Sequence, residues 1–181
     1  MTTESLRVLL IGLPGAGKGT QGTLLPQCCG VPHISIGDEV RKHLEADDDL
    51  GKRITRYFES NGHIWQPLDD DLAAQVLCSS NIQDNWILDG YPRNLNQFLL
   101  HPIDPTLVVN LVVPEEVAIE RVLGRKRQGD ALAKAKARLA VEANRLPELV
   151  SHLKQKFRYV EIDGTLPELQ INQSIRKEIS Q

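Results

Sequence analysis

The chain has 181 residues, a hydrophobic fraction of 41%, a charged fraction of 25% and a formal net charge of −3. This balance is typical of one globular domain that can bury a core, and it argues against disorder. A slightly acidic chain gives no support for nucleic-acid binding, and no apolar run is long enough for a membrane span. Three cysteines without zinc-site spacing favour free thiols, so we expect a cytoplasmic protein. A monomer is the default expectation for its oligomeric state.

Short apolar runs alternate with helical stretches along the chain. Strands are predicted at residues 6–11, 33–35, 86–88, 107–113 and 159–162. Helices are predicted at residues 18–28, 38–45, 50–60, 68–80, 94–100, 115–123, 130–156 and 167–179. Continuously apolar strands separated by helices are typical of a parallel sheet covered on both faces, which predicts an α/β fold. Pro147 is expected to kink or interrupt the longest helix.

The most informative motif follows the first strand directly and reads GLPGAGKGT at residues 12–20. It matches the glycine-rich phosphate loop in the required context of strand, tight loop and helix. The N–H groups of such a loop and the positive end of its helix bind polyphosphate, and Lys18 adds a mobile charge. Gly19 stands where many such loops carry Ser or Thr, so a hydroxyl for Mg²⁺ is expected from Thr20. The motif predicts nucleoside triphosphate binding.

A second motif, DGYPR at residues 89–93, ends the strand 86–88. Ligands of open parallel sheets bind beyond the carboxyl ends of the strands, where the phosphate loop also lies. Asp89 is therefore expected to hold Mg²⁺ through water, and Arg93 is expected to bind phosphate with two hydrogen bonds.

A third element, SIGDEVR at residues 35–41, combines a turn, an expected helix N-cap at Asp38 and an arginine in the first turn, Arg41. The longer segment 35–65 lies between the first helix and the second strong strand. It is interpreted as a small helical insertion.

These motifs, taken in order, resemble the adenylate kinase branch of the nucleoside monophosphate kinases over nearly the whole chain. The matching segments are GLPGAGKGT at 12–20, GDEVR at 37–41, DGYPRNLNQ at 89–97, VPEE at 113–116 and IDGT at 162–165. The resemblance implies a P-loop NTPase fold with a five-stranded parallel sheet, Mg²⁺ as cofactor, and ATP and AMP as substrates. It also implies a single domain, 1–181, with a core of 1–34, 66–123 and 131–181, a nucleoside monophosphate-binding arm of 35–65 and a vestigial lid of 124–130.

The resemblance further assigns residues to each substrate. The cations expected to take part in catalysis are Lys18, Arg93, Arg125, Arg127 and Arg138. The residues expected on the ATP side are Gly15, Ala16, Gly17, Lys18, Gly19, Thr20, Arg121, Arg125 and Leu166. The residues expected on the AMP side are Ile36, Arg41, His63, Ile64, Trp65, Gly90, Tyr91, Pro92, Arg93, Gln97, Arg127 and Arg138.

Two departures from the family pattern qualify this prediction. Only Lys126 separates Arg125 from Arg127, so the lid is close to absent. A closing lid excludes water from phosphoryl transfer, and we therefore expect slow turnover or a leak into ATP hydrolysis unless arm closure is sufficient.

The second departure concerns the acceptor base. Ile36 replaces the threonine of AMP-specific members and the alanine of UMP/CMP-specific ones, and Asn94 occurs in pyrimidine-using relatives. Gln97 is the AMP-type residue, because an amide can pair with an adenine edge through one donor and one acceptor. Gln97 favours AMP. The alternatives are a UMP/CMP kinase, or a catalytically weak nucleotide-binding module with a regulatory role.

Overall fold

The computed structural model describes residues 5–61, 68–80, 82, 84–124 and 132–181. Five strands and nine helices alternate within these residues. The strands are β1 (Arg7–Ile11), β2 (His33–Ser35), β3 (Trp86–Asp89), β4 (Leu107–Val112) and β5 (Tyr159–Asp163). The helices are α1 (Lys18–Leu24), α2 (Pro26–Cys29), α3 (Ile36–Ala46), α4 (Asp49–Ser60), α5 (Asp70–Ser79), α6 (Leu95–Leu100), α7 (Glu115–Gly124), α8 (Leu132–Lys156) and α9 (Glu168–Ile179).

The five strands form one parallel sheet in the order β2-β3-β1-β4-β5. The register places Asp89, at the end of β3, beside Leu10 of β1 on one side and Ser35 of β2 on the other. Because all strands run in one direction, the loops that follow β1, β2 and β3 meet at one edge of the sheet. The α/β fold and the five-stranded parallel sheet predicted from the sequence are confirmed.

Alternating side chains of β1 divide the core into two layers. Leu9 and Ile11 pack with residues of α5, α6 and α8 on one face of the sheet. Val8 and Leu10 pack with residues of α7 and α9 on the other face. Both faces of a central parallel strand are buried in this way, which explains why β1 is continuously apolar.

Two local predictions are wrong, and a third is wrong in part. The helix predicted over 18–28 is divided at Pro26, because proline has no N–H to continue the helical hydrogen bonds. Helix α3 begins at Ile36 with Ser35 as its N-cap, so Asp38 lies in the first turn and is not the cap. Helix α8 continues through Pro147, so the predicted interruption is wrong while the predicted kink stays a prediction; the buried Leu149 that follows packs in the core.

Helices α3 and α4 form a hairpin between β2 and the residues that lead to α5. This hairpin falls within the predicted arm of 35–65, and the division into core, arm and lid remains a prediction. Among the described helices, none is both long enough and apolar enough to cross a membrane.

Candidate active site

A cleft of about 810 Å³ opens at the edge of the sheet where β1, β2 and β3 end. The glycine-rich loop, the start of α3, the segment after β3 and one face of α8 line it. The cleft brings together many of the residues predicted from the sequence. These are Gly15, Gly17, Lys18, Gly19, Thr20, Ile36, Arg41, Asp89, Gly90, Pro92, Arg93, Gln97 and Arg138.

The loop between β1 and α1 has the backbone conformation that its glycines predict. Gly12, Gly15 and Gly17 all have positive φ angles, of 134°, 89° and 100°. A Cβ on Gly15 would clash with the carbonyl oxygen of Ala118 in α7. Glycine is therefore required at this position for both conformation and space, and the loop packs directly against its neighbouring helix.

The Lys18 ammonium group folds back over its own loop. Its Nζ donates to the carbonyl oxygens of Gly12 (2.7 Å) and Leu13 (2.9 Å). Burial lowers the pKa of Lys18 to about 8, although the nearby carboxylates of Glu142 and Asp89 act in the opposite direction. The lysine is thus a partly desolvated cation, and an anion bound in the loop would stabilise its charged form.

Asp89 lies at the floor of the cleft and is buried, with 7% of its surface exposed. Its Oδ2 is 2.8 Å from Nε2 of His33, and its Oδ1 accepts a long hydrogen bond of 3.4 Å from the Ser35 hydroxyl. Gly22 of α1 faces the same histidine, and a Cβ there would clash with the His33 ring. The sequence analysis did not assign His33 to the site, although its position on β2 beside β3 is a signal for this contact.

Arg93 and Arg138 meet on one buried carboxylate, that of Glu142. Nη1 of Arg93 donates to Oε1 of Glu142 at 2.9 Å, and Nε of Arg138 donates to the same oxygen at 3.2 Å. Nε of Arg93 also donates to the carbonyl oxygen of Gly90 (3.0 Å), which fixes the guanidinium against the end of β3. Two segments distant in sequence therefore deliver their arginines to one point in the cleft.

Glu142 is a second site residue, after His33, that the sequence analysis missed. Burial raises the pKa of its carboxyl group, but the charges of Arg93, Arg138 and Lys18 outweigh burial and hold the pKa below its usual value. The sequence contains a signal for it, because Glu142 is the one charged residue among the buried positions of α8. A charge within an apolar helical stripe indicates a buried partner.

Gln97 is buried beneath the cleft floor and already has protein partners. Its Oε1 accepts from the backbone N–H of Arg93 (2.8 Å), and its side chain also bonds the Asp70 carboxylate. Because a carboxylate only accepts hydrogen bonds, the amide NH₂ must face Asp70, which assigns the orientation of the amide. Among the described residues the NH₂ group has no second acceptor, so one amide hydrogen is left for a ligand.

Three further predicted residues have distinct positions. The Tyr91 side chain lies in the core, and its hydroxyl is 2.7 Å from the carbonyl oxygen of Gln97, so the ring does not line the cleft. Ile36 is buried at the start of α3 and reaches the cleft wall. Arg41 is half-buried and pairs with Asp38 one turn earlier in the same helix.

A smaller cleft of about 210 Å³ adjoins the first. It contains Arg121 and Leu166, the two residues outside the glycine-rich loop that the sequence analysis expects on the ATP side and the structure describes, and it shares Gly15, Gly17 and Thr20 with the larger cleft. Nη1 of Arg121 donates to the carbonyl oxygen of Gly164 (2.7 Å), which fixes the arginine beside the loop after β5. The side chain of Ala16, also predicted for the ATP side, is buried in the core behind the glycine-rich loop.

Several predicted site residues lie outside the described residues. They are His63, Ile64 and Trp65 of the arm, and Arg125 and Arg127 of the predicted lid. Helix α7 ends at Gly124 and helix α8 begins at Leu132, so nearly all of the predicted lid falls between them.

A glycine-rich loop with its lysine, facing two arginines across one cleft, suits the movement of a phosphoryl group between two phosphates. This places the chain among the P-loop phosphotransferases. A family model described as adenylate kinase matches residues 10–158. The chain therefore belongs to the adenylate kinase family and is a nucleoside monophosphate kinase, as the sequence predicted.

Similar curated proteins cover most of the chain. Adenylate kinase 1 of Synechocystis sp. strain PCC 6803 is 32% identical over 88% of this chain and 89% of its own length. The adenylate kinase of Corynebacterium glutamicum strain R is 33% identical, over 91% and 94%. The adenylate kinase of Cyanothece sp. strain PCC 7425 is 34% identical, over 97% and 95%.

Proposed function

We propose that this chain catalyses the reversible transfer of the γ-phosphoryl group of ATP to AMP, which gives two ADP molecules. The observation that carries the proposal is that two separate sets of groups suited to phosphate line one cleft. One set is the glycine-rich loop with Lys18, and the other is Arg93 and Arg138. A protein that only bound ATP would not need the second set.

The two adjoining clefts support an arrangement for ATP. Gly15, Gly17 and Thr20 line both of them, so a polyphosphate on the loop would reach from the smaller cleft into the larger. The nucleoside would then lie beside Arg121 and Leu166, and the γ-phosphate would face the arginines. Lys18 would exchange its two carbonyl partners for phosphate oxygens.

Thr20 and Asp89 fit the magnesium ion that the family generally uses. Both line the cleft at the glycine-rich loop, and hydroxyl and carboxylate oxygens are ligands that this hard cation accepts, directly or through water. The ion would supply charge neutralisation for the transferred phosphates. No group of three or more metal-binding side chains occurs in the described part of the chain, which agrees with a cation held largely by phosphate and water.

The acceptor side is proposed to hold the AMP phosphate on Arg41 and Arg93. Gln97 would read the adenine edge with its remaining amide hydrogen, while Ile36 would form part of the wall beside the base. The roles of His63, Ile64, Trp65, Arg125 and Arg127 are proposed from the family pattern alone. UMP or CMP is the alternative acceptor, because Ile36 and Asn94 depart from the AMP-specific pattern.

The catalytic step needs positioning and charge compensation more than covalent help. As the bond to the γ-phosphorus breaks, negative charge spreads over the phosphoryl oxygens and the leaving group. Lys18 would neutralise the donor side of this charge, and Arg93 and Arg138 would neutralise the acceptor side. Water must be excluded at the same time, since it is a competing acceptor.

The test is nucleotide conversion measured by chromatography, with Mg-ATP and, separately, AMP, UMP, CMP, GMP or no acceptor. Rapid ADP formation with AMP alone is expected. Conversion with UMP or CMP would move the chain to the pyrimidine branch of the family. ATP binding without acceptor-dependent turnover would instead indicate the regulatory module.

The short lid makes a further prediction about water. We expect slow turnover, or release of inorganic phosphate from ATP in the absence of an acceptor, unless arm closure alone excludes water. A phosphate-release assay without AMP measures this leak. ADP formation that depends strictly on a monophosphate acceptor would contradict it.

We also propose that the protein is a cytoplasmic monomer. Cys28, Cys29 and Cys78 are free thiols in the structure, which suits a reducing compartment. Size-exclusion chromatography with light scattering tests the oligomeric state, and a mass near 20.2 kDa is expected.

A further inference from the structure

Glu142 places a negative charge where the proposed substrates are themselves anions and, unlike Asp89, it is not proposed to hold a metal ion. It is 7% exposed, lines the larger cleft, and lies one helical turn after Arg138 in α8. If the side chain at position 142 only filled space, an apolar side chain would give a more stable protein, because burying a carboxylate without partners is costly. The Glu142 carboxylate therefore has a role other than filling space.

That role is indicated by its contacts. A single oxygen, Oε1, accepts from Nη1 of Arg93 and from Nε of Arg138. Without a shared anion, two guanidinium groups brought to one point would repel each other. We propose that Glu142 is a positioning residue for phosphoryl transfer: its carboxylate holds Arg93 and Arg138 at a fixed separation before the nucleotides bind.

Arg93 is held by two hydrogen bonds besides the one to Glu142. Its backbone N–H is held by Gln97, and its Nε donates to the carbonyl oxygen of Gly90. The bond to Glu142 is the third, and it sets the rotation of the guanidinium group. Among the described residues none accepts a hydrogen bond from Nη2, so this group is available to a phosphate oxygen. Glu142 thus orients the arginine and leaves a donor for the substrate.

The negative charge has a second consequence for the substrates. It repels polyphosphate, so it weakens ground-state binding while it improves the geometry of transfer. Removal of the charge should therefore separate two quantities that usually fall together. The turnover number should decrease, and the Michaelis constants for the nucleotides should stay the same or decrease.

The experiment compares Glu142→Gln with Glu148→Gln, an exposed glutamate of the same helix that serves as the matched control. We expect Glu142→Gln to lower kcat by about tenfold or more, in line with a small misplacement of catalytic groups. The KM values for ATP and AMP should not rise, and calorimetric titration with ATP should still give a stoichiometry near one. Glu148→Gln should match the wild type.

A double substitution tests whether Glu142 acts through the arginine. In an Arg138→Ala background, Glu142→Gln should cost much less in kcat than it does alone, because one of the groups it positions is absent. Fully additive losses would overturn the proposal. Glu142→Asp keeps the charge on a shorter side chain, and this variant replaces Glu142→Gln in the test if the glutamine variant does not fold. An aspartate variant with wild-type kcat would overturn the proposal.

The outcomes separate this inference from the proposed function on which it rests. Wild-type protein without acceptor-dependent turnover would contradict the proposed function itself. An active wild type with an equally active Glu142→Gln variant would overturn only the role of Glu142. A loss of kcat that merely follows a loss of binding stoichiometry would show a structural role, and would overturn it as well.

Discussion

The two halves of the cleft proposed to bind phosphate are built in different ways. The half proposed for ATP is made largely by one short loop, whose positive-φ glycines orient backbone groups and whose lysine bonds its own loop. The facing half is made by side chains from separate segments, Arg93 after β3 and Arg138 on α8, which meet on Glu142. The first half is organised by local backbone conformation, and the second by long-range packing and charge.

This difference indicates how each half should respond to change. In a backbone-built site the binding groups stay in place when a side chain is removed, so a substitution should affect chemistry and leave folding largely intact. In a site built from mutually bonded side chains, each substitution should disturb its neighbours too. The four predictions below test that contrast.

The largest expected effect is that of Lys18→Ala. The variant should lose on the order of a thousandfold in kcat/KM, because a charge aimed at the transferred phosphates is removed. Its melting temperature should change little, since within the described residues Lys18 bonds only carbonyl groups of its own loop, and burial already lowers its pKa to about 8. Steady-state kinetics and thermal unfolding measure both quantities. Lys177→Ala, an exposed lysine of α9, is the control, and comparable kcat/KM in both variants would remove Lys18 from the mechanism.

Arg93→Ala should lower kcat by roughly a hundredfold, as expected for loss of one charge-stabilising group. Arg93→Lys should recover only part of this loss, because an ammonium group cannot bond Gly90, Glu142 and a phosphate in the same plane. Comparison of kcat in the two variants separates charge from geometry. Full activity in the lysine variant would contradict a site organised by the shape of the guanidinium.

Gln97→Leu should reduce the preference for AMP over UMP by about tenfold or more, since the buried amide proposed to pair with the base is lost. The ratio of kcat/KM for the two acceptors is the quantity to measure, because the substitution also removes the bond to the Arg93 backbone. Tyr91→Phe is the control: it loses the hydroxyl bond to the Gln97 carbonyl and should leave the ratio unchanged. An unchanged ratio in Gln97→Leu would refute the base-reading role.

The smallest expected effect is on folding stability at acid pH. Arg93, Arg138 and Lys18 hold the pKa of Glu142 below its ordinary value of 4.5, against the effect of burial. Its contribution to the free energy of unfolding is therefore fully present above about pH 4.5 and is lost as the pH falls below that value. Urea unfolding at a series of acid pH values should give a steeper loss for wild type than for Glu142→Gln. Parallel curves would show that the carboxylate is not stabilised by the arginines.

The same contrast explains what the sequence could predict. The glycine-rich loop is contiguous in the chain, so its motif predicted both its conformation and the position of Lys18 in the cleft. The alternating apolar runs predicted the parallel sheet, and hence that Asp89 would lie beside the loop. The family and the enzyme class, predicted from the ordered motifs, are confirmed by the relatives.

Contacts between distant segments could not be predicted in this way. Nothing local to Glu142 specifies Arg93, which lies 49 positions earlier and precedes helix α6, the helix that packs against α8. A local prediction was also wrong where two residues could cap the same helix. Asp38 has the side chain of an N-cap, yet the helix begins earlier because Ser35 ends β2 and turns directly into α3. The roles assigned to individual site residues remain predictions.

The close approach of α1 to β2 has a consequence for sequence divergence. Gly22 has no room for a Cβ because the His33 ring occupies that space, and His33 in turn bonds Asp89. A larger residue at position 22 requires the His33 ring to move or position 33 to become smaller, and either change would release the Asp89 carboxylate from one partner. Positions 22 and 33 should therefore co-vary among related kinases. In a chain that changes one without the other, the carboxylate at the end of β3 should be displaced.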